Sequence, residues 1–196
     1  MTNLNQVTNE IQAEQVSDLK KLNKKQGGFT IIELLIGVGV IVGFLALVYG
    51  IYSRISTSNN ANSLVAQLTT FQTKIKEVYV NQPNGYSGIS DTELITSKAY
   101  PGDLNSTGTQ LTSSFAGKVN VAASASDNTE FTITYEKVPS GVCIAVVNKL
   151  ASAGSWNSIA IGGTDIWSGT ASVPTKSAID TACNATANVS MAFASN

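Results

Sequence analysis

The hydrophobic pattern changes character twice along the first third of the chain. The opening 28 residues are polar and charged, and a continuous apolar run succeeds them. From Leu34 to Tyr52 there is no charged residue and no Ser, Thr, Asn or Gln; Leu, Ile, Val and Gly prevail. Nineteen residues at about 1.5 Å each span roughly 28 Å, close to the hydrocarbon thickness of a bilayer. Beyond the run, apolar residues become periodic. Ile51 and Ile55 lead into Leu64, Leu68, Phe71, Ile75 and Val78, the last five spaced 4, 3, 4, 3, which puts them on one helical face. Ser63, Gln67, Thr70, Lys74 and Glu77 fill the polar positions. No proline occurs between Phe29 and Gln82, so the pattern predicts one helix of about 80 Å, apolar all round at first and amphipathic later. "NQPNGY" (81–86) ends it with Pro and Asn-Gly.

Residues 83–196 read as α+β. Ser90-x-x-Glu93 has the form of a capping box, opening a short helix near Asp91 to Ser97. "GKVNVAA" and "TEFTITYEKV" are strand-like, the second with alternating Phe131, Ile133 and Tyr135. "NSIAIGG" and "NVSMAFA" are further strands. In "PSGVCIAVVNKL", Pro139 suits a helix start and Cys143, Val146, Val147 and Leu150 fall at helical spacing, which favours a helix. "VPTKSAIDTAC" predicts another short helix, placing Cys183 near Cys143. The sum is an antiparallel sheet laid against the amphipathic half of the long helix.

Composition narrows the functions. Net charge is −1, which argues against nucleic acid as a partner, because phosphate binding needs a basic surface. With 13% charged residues and abundant Ser, Thr, Asn, Gly and Ala, the surface suits an exported protein. There is no histidine, which removes the commonest general base, zinc ligand and partner of a nucleophilic Ser or Cys. No phosphate-binding or nucleophile-elbow motif is present, so the expectation is a non-enzyme without cofactor or metal. A membrane-anchored periplasmic enzyme is the reading this disfavours. Cys143 and Cys183 are too few and too far apart for a metal site. Outside the cytosol they are expected to form a disulfide; the alternative is two buried free thiols.

Lys20, Lys21, Lys24 and Lys25 precede the apolar run and Arg54 comes after it, so the N-terminus stays cytoplasmic and the rest is exported. A cleaved secretory signal fits poorly, since the run is long and its polar leader far exceeds an ordinary n-region. A plain signal anchor leaves Glu33 unexplained. A carboxylate at the end of a spanning helix costs a few kcal/mol unless paired, and marks a functional position.

"GGFTIIELL" resembles the class III signal of type IV prepilins. The resemblance implies that an inner-membrane prepilin peptidase cuts between Gly28 and Phe29 and that the new amine of Phe29 is methylated. It further implies that Glu33 pairs with the Phe29 amine of a neighbouring subunit during filament assembly. It divides the chain into a leader (1–28), a membrane and filament-core helix (29–54), an amphipathic continuation (55–82) and a head (83–196) with a disulfide-bounded C-terminal region, the pilin ladle fold. The long leader, and "VYVNQPNGYSGISDTELITSKAYPGDL" (78–104), are similar to the type IVb branch, the bundle-forming pilins of enteric bacteria and the thin-pilus pilins of conjugative plasmids. Phe29 departs from that branch, which usually begins its mature chain otherwise.

The resemblance thus implies a major structural subunit of a type IVb pilus. It would lie in the inner membrane as precursor and on the cell surface as a helical homopolymer. Its partners would be itself, the prepilin peptidase and the inner-membrane assembly machinery, with a role in adhesion, aggregation or conjugation. The alternative is a minor pilin or a secretion pseudopilin. Glu33 favours a shaft subunit, and Asp103, Asp127 and Asp165 are too scattered for the calcium loop many pseudopilins carry. Gly37, Gly39, Gly43 and Gly50 weaken the helix, and local unwinding between Gly43 and Gly50 is expected in the filament. Three Asn-x-Ser/Thr sequons, at Asn105, Asn184 and Asn188, carry no assigned role. Trp156 and Trp167 are candidates for core packing or for a subunit interface.

Overall fold

The structure, a computed structural model, describes residues 30–124 and 128–196. Its first element is the long helix α1 (Ile31–Tyr79). It contains no proline, and its end is set by the turns at 80–88 that include Pro83 and Gly85. It is helical through Gly43 to Gly50; the expected unwinding concerned the assembled filament. Two compact units divide at Gly50/Ile51. In the second unit α1 buries Ala61, Leu64, Leu68, Phe71 and Ile75. The predicted stripe differs at both ends. Ile51, Ile55 and Val78 are exposed, and Tyr79, not Val78, turns into the core. Gln67, expected on the polar face, is 5% exposed, because it stands three residues after Leu64 and four before Phe71, at the edge of the stripe.

Helix α2 (Asp91–Ser97) begins at Ser90, whose Oγ accepts the Glu93 N–H at 3.3 Å, and stops at Lys98 in the left-handed conformation. Seven strands complete the head: β1 (Asn105–Ser106), β2 (Leu111–Thr112), β3 (Lys118–Ala123), β4 (Phe131–Pro139), β5 (Ser158–Ile161), β6 (Thr164–Ser168) and β7 (Asn188–Ser195). Helix α3 (Ser140–Ala153) comes directly after β4, and helix α4 (Lys176–Cys183) lies between β6 and β7. Pro139 caps α3 and Gly154 ends it at φ 62°. Strands β1, β2 and β6 were not predicted: the first two are two residues long, and β6 lies among turn residues.

The strands form one antiparallel sheet in the order β1-β2-β3-β4-β7-β5-β6. Pairing aligns two inward rows. Leu111, Val119, Tyr135, Met191 and Ile161 make one; Val121, Ile133, Phe193, Ile159 and Trp167 make the other. All ten are buried and join the inward residues of α1, α3 and α4 in a single core. The opposite face shows small, uncharged residues: Asn120, Thr134, Ala192 and Ala160 in one row, Ala122, Thr132, Ala194 and Ser158 in the next. β7, the last strand of the chain, lies between β4 and β5, so it is the link between the two parts of the sheet.

Gly85 is among the close approaches that require glycine. Gly85 has φ +60°, and a Cβ there would lie 2.3 Å from the Asn128 carbonyl oxygen, which also accepts the Tyr86 N–H at 2.7 Å.

Candidate assembly site

Glu33 lies in the first turn of α1, where the unpaired N–H groups of a helix favour a negative charge. The Thr30 carbonyl accepts the Glu33 N–H at 3.0 Å and the Leu34 N–H at 3.1 Å, closing that turn. The carboxylate is exposed and has no ion-pair partner among the described residues. Its surroundings are apolar. From Ile31 to Ile55 the exposed large apolar side chains keep 47–83% of their surface open, on all sides of the helix. Water does not tolerate such a surface, and a bilayer or a bundle of like helices does. A lone carboxylate in either setting is costly, and an opposite charge at the same depth removes most of the cost. Phe29, whose amine is expected to supply that charge, lies outside the described residues, as does Gly28 on the other side of the expected cut.

The head holds its part of α1 by polar contacts as well as by the core. Gln67 Nε2 donates to Asp103 Oδ2 at 2.5 Å, and Gln67 Oε1 accepts the Tyr135 hydroxyl at 3.2 Å. Burial, and then the charge of Asp103, push the Tyr135 hydroxyl well above the usual tyrosine range, so it stays a donor. Lys74 Nζ donates to the carbonyls of Tyr100 at 2.7 Å and Lys98 at 3.3 Å. Gln72 Nε2 reaches the Ser155 carbonyl and Ser195 Oγ. These contacts fasten α1 to the 98–103 segment on one side and to the C-terminal strand on the other. The sequence concealed them, since their partners lie 24 to 123 residues away. One signal was present: Gln67, three residues after Leu64 and four before Phe71, is a polar residue flanking the apolar stripe.

Cys143 and Cys183 form a disulfide with Cα atoms 5.7 Å apart, joining the first turn of α3 to the last residue of α4. Both are fully buried. The bridge closes the region that contains β5, β6 and α4. Trp156 and Trp167 are core residues of that region. Trp156 stacks edge-on with Phe193 at 5.8 Å, and Trp167 Nε1 donates to the Ala171 carbonyl at 3.3 Å. With 2% and 4% of their surface exposed, neither ring is available to a neighbouring subunit, which settles the choice between core and interface.

Comparison with known proteins agrees with this arrangement. Residues 58–196 match the family described as PilS N terminal. The major structural subunits of the bundle-forming pilus from Escherichia coli O127:H6 and O111:H- are each 27% identical over 131 residues, covering 65% of this chain and 67% of theirs. Among solved structures, a type IVb pilin from Salmonella typhi is 23% identical, with a TM-score of 0.48, covering 67% of this chain and 98% of that one. The type IV pilin TcpA from Vibrio cholerae El Tor is 14% identical, with a TM-score of 0.49, covering 70% and 99%. The family match takes in the amphipathic part of α1, the whole sheet and the disulfide-bounded region. The chain belongs to the PilS family, and structural pilin subunits are among its relatives.

Proposed function

We propose that this pilin is the major, shaft-forming subunit of an extracellular type IVb fibre, made as an inner-membrane precursor and assembled through α1. The observation that carries the reading is the exposed apolar surface of α1 from Ile31 to Ile55 with one unpaired carboxylate, Glu33, in its first turn. A signal peptidase specific for prepilins cuts between Gly28 and Phe29, and the Phe29 amine is methylated, which leaves its charge in place. Glu33 of an incoming subunit then meets the Phe29 ammonium of one already in the fibre. Each charge alone is penalised in an apolar bundle and the pair is attracted strongly, so the salt bridge selects the correct axial register. The disulfide-closed head is built for the fibre surface outside the cytosol, where such bonds persist. The protein acts by assembly and not by catalysis. The role proposed for the fibre is adhesion, aggregation or conjugation, and relatives named as major structural subunits of a bundle-forming pilus support the fibre-forming part of that reading.

Intact mass of fibres sheared from the cell surface tests the reading. The expected mass is that of the chain without Met1 to Gly28, plus one methyl group and minus two hydrogens. An uncut chain confined to the inner membrane would sink it.

A further inference from the structure

The charges of the head are unevenly placed along α1, and the order of the elements tells one end from the other. β4 begins at Phe131, whose ring centre lies 4.8 Å from that of Tyr86, and Tyr86 lies 5.7 Å from Tyr79, the last residue of α1. β4 ends at Pro139 and runs directly into α3, where a Cβ at Gly141 would meet the Thr57 methyl group at 3.2 Å. So β4 crosses the head from the Tyr79 end of α1 to the Thr57 end.

Thr57 is five residues past Tyr52, where the apolar run stops, which is roughly 7.5 Å of helix. Tyr49, Tyr52 and Arg54 are exposed here, residue types that settle at a membrane interface. The headgroup layer adds roughly 5–7 Å to each side of the hydrocarbon. In the membrane-bound precursor proposed for this chain, on which the inference rests, the Thr57 end of the head stands at the headgroups.

That end is cationic. Lys118 precedes Val119, which pairs with Tyr135, and Lys137 comes two residues after Tyr135; both lysines are exposed. Lys149 donates to Asn62, five residues past Thr57. Arg54 joins them, and Glu136 lies beside Lys137. Asp180 is ion-paired with Lys176, and Asp165 is level with Thr134, nearer the middle of the sheet. Other carboxylates stand away from this end: Asp103 at Gln67, Asp91 at Val121, Glu77 in the last turns of α1 and Glu130 just before β4.

A backbone irregularity sets the place of Lys137. The inward residues of β4 alternate through Phe131, Ile133 and Tyr135, and strict alternation would turn Lys137 inward next. An irregularity between Tyr135 and Val138 gives the inward place to Val138 and leaves Lys137 exposed, at φ 57°. That left-handed backbone is unfavourable for a residue with a Cβ, and such positions concentrate at functional sites.

We propose that the Thr57 end of the head binds the anionic phospholipid surface from which α1 emerges, with Lys118 and Lys137 set against the headgroup phosphates beside Arg54. The occupant is that surface because α1 itself carries these cations to within about a Debye length, roughly 10 Å, of it. The contact holds the head on the membrane before assembly and is given up when α1 leaves the bilayer.

Quenching in vesicles tests this. The full chain is inserted into phosphatidylcholine vesicles with or without phosphatidylglycerol, each containing phosphatidylcholine with a nitroxide on its headgroup. The chain has two cysteines and both are in the buried disulfide, so a fluorophore attaches only to an introduced one. Asn188→Cys places it opposite Pro139, at the cationic end, and keeps both lysines; Val80→Cys places it beyond the other end of α1. Quenching at position 188 should be several-fold stronger with phosphatidylglycerol present. It should fall to the phosphatidylcholine level in high salt, and also when Lys118→Glu and Lys137→Glu are added. Quenching at position 80 should not respond to lipid charge. Equal quenching at position 188 in the two lipids, or no effect of the double reversal, overturns the proposal. Should the reversal unfold the head, Lys118→Gln with Lys137→Gln takes its place under the same expectation. A reversal that lowers fibre yield but leaves quenching unchanged assigns the cations to a neighbouring subunit and likewise overturns it. Flotation of the unaltered chain with the vesicles is read separately: its failure would strike at the membrane-bound precursor, and at this contact through it.

Discussion

Gln67 shows how much one residue can carry. Its side chain is buried between Tyr135 and Asp103 and serves both, donating to the carboxylate and accepting from the hydroxyl. Truncation leaves the buried Tyr135 hydroxyl without a partner and opens a void, so Gln67→Ala should destabilise the head by about 2 kcal/mol, read from denaturant midpoints. Gln67→Leu combined with Tyr135→Phe should cost less than the sum of the two single changes, because it removes both ends of one hydrogen bond. Asp91 supplies a pH signature. Its Oδ1 accepts the Val121 N–H at 2.7 Å, which ties α2 to β3, yet burial outweighs that bond and holds its carboxyl above the usual 3.8. The folded head therefore binds this proton more tightly than the unfolded chain does. Its contribution to stability falls as pH rises through the interval between 3.8 and the raised value, and is recovered on acidification. Asp91→Asn should remove that component. Parallel unfolding curves of the two proteins across mildly acidic pH would refute the assignment.

At the scale of elements, the features legible in the sequence obeyed local rules. Ser90 announced α2 through its cap, and the spacing of Cys143, Val146, Val147 and Leu150 announced α3. Alternation in "FTITY" announced β4 with the correct inward residues. The features that escaped were set by partners distant in sequence. β6 is a strand because β5 pairs with it, β1 and β2 are short bridges, and the place of β7 between β4 and β5 is a matter of topology alone. The candidate assembly site divides in the same way. Glu33 stood out as a charge inside an apolar run, whereas the fastening of α1 through Gln67, Gln72 and Lys74 depends on the folded head. The disulfide is the covalent tie between α3 and α4, across 40 residues. Replacing both cysteines with serine should lower stability by about 4 kcal/mol in the chain-entropy description, and faster proteolysis between β5 and β7 should accompany it. Unchanged stability under reducing conditions would contradict this.

For the whole molecule, the consequential feature is the position of β7. Asn188 to Ser195 pair with β4 on one side and β5 on the other, while Phe193 fills the core and Ser195 meets Gln72 of α1. Removing the last four residues should leave no folded head, visible as loss of a cooperative melting transition, even though the cut lies at a chain terminus. The head is therefore a structure whose keystone is made last. A chain made from its N-terminus onward cannot complete the centre of its sheet until β7 has been made. Until then the half-formed sheet has an open gap at its centre, exposed to the like segments of neighbouring chains. It also means that anything appended to the C-terminus is appended to the middle of the sheet.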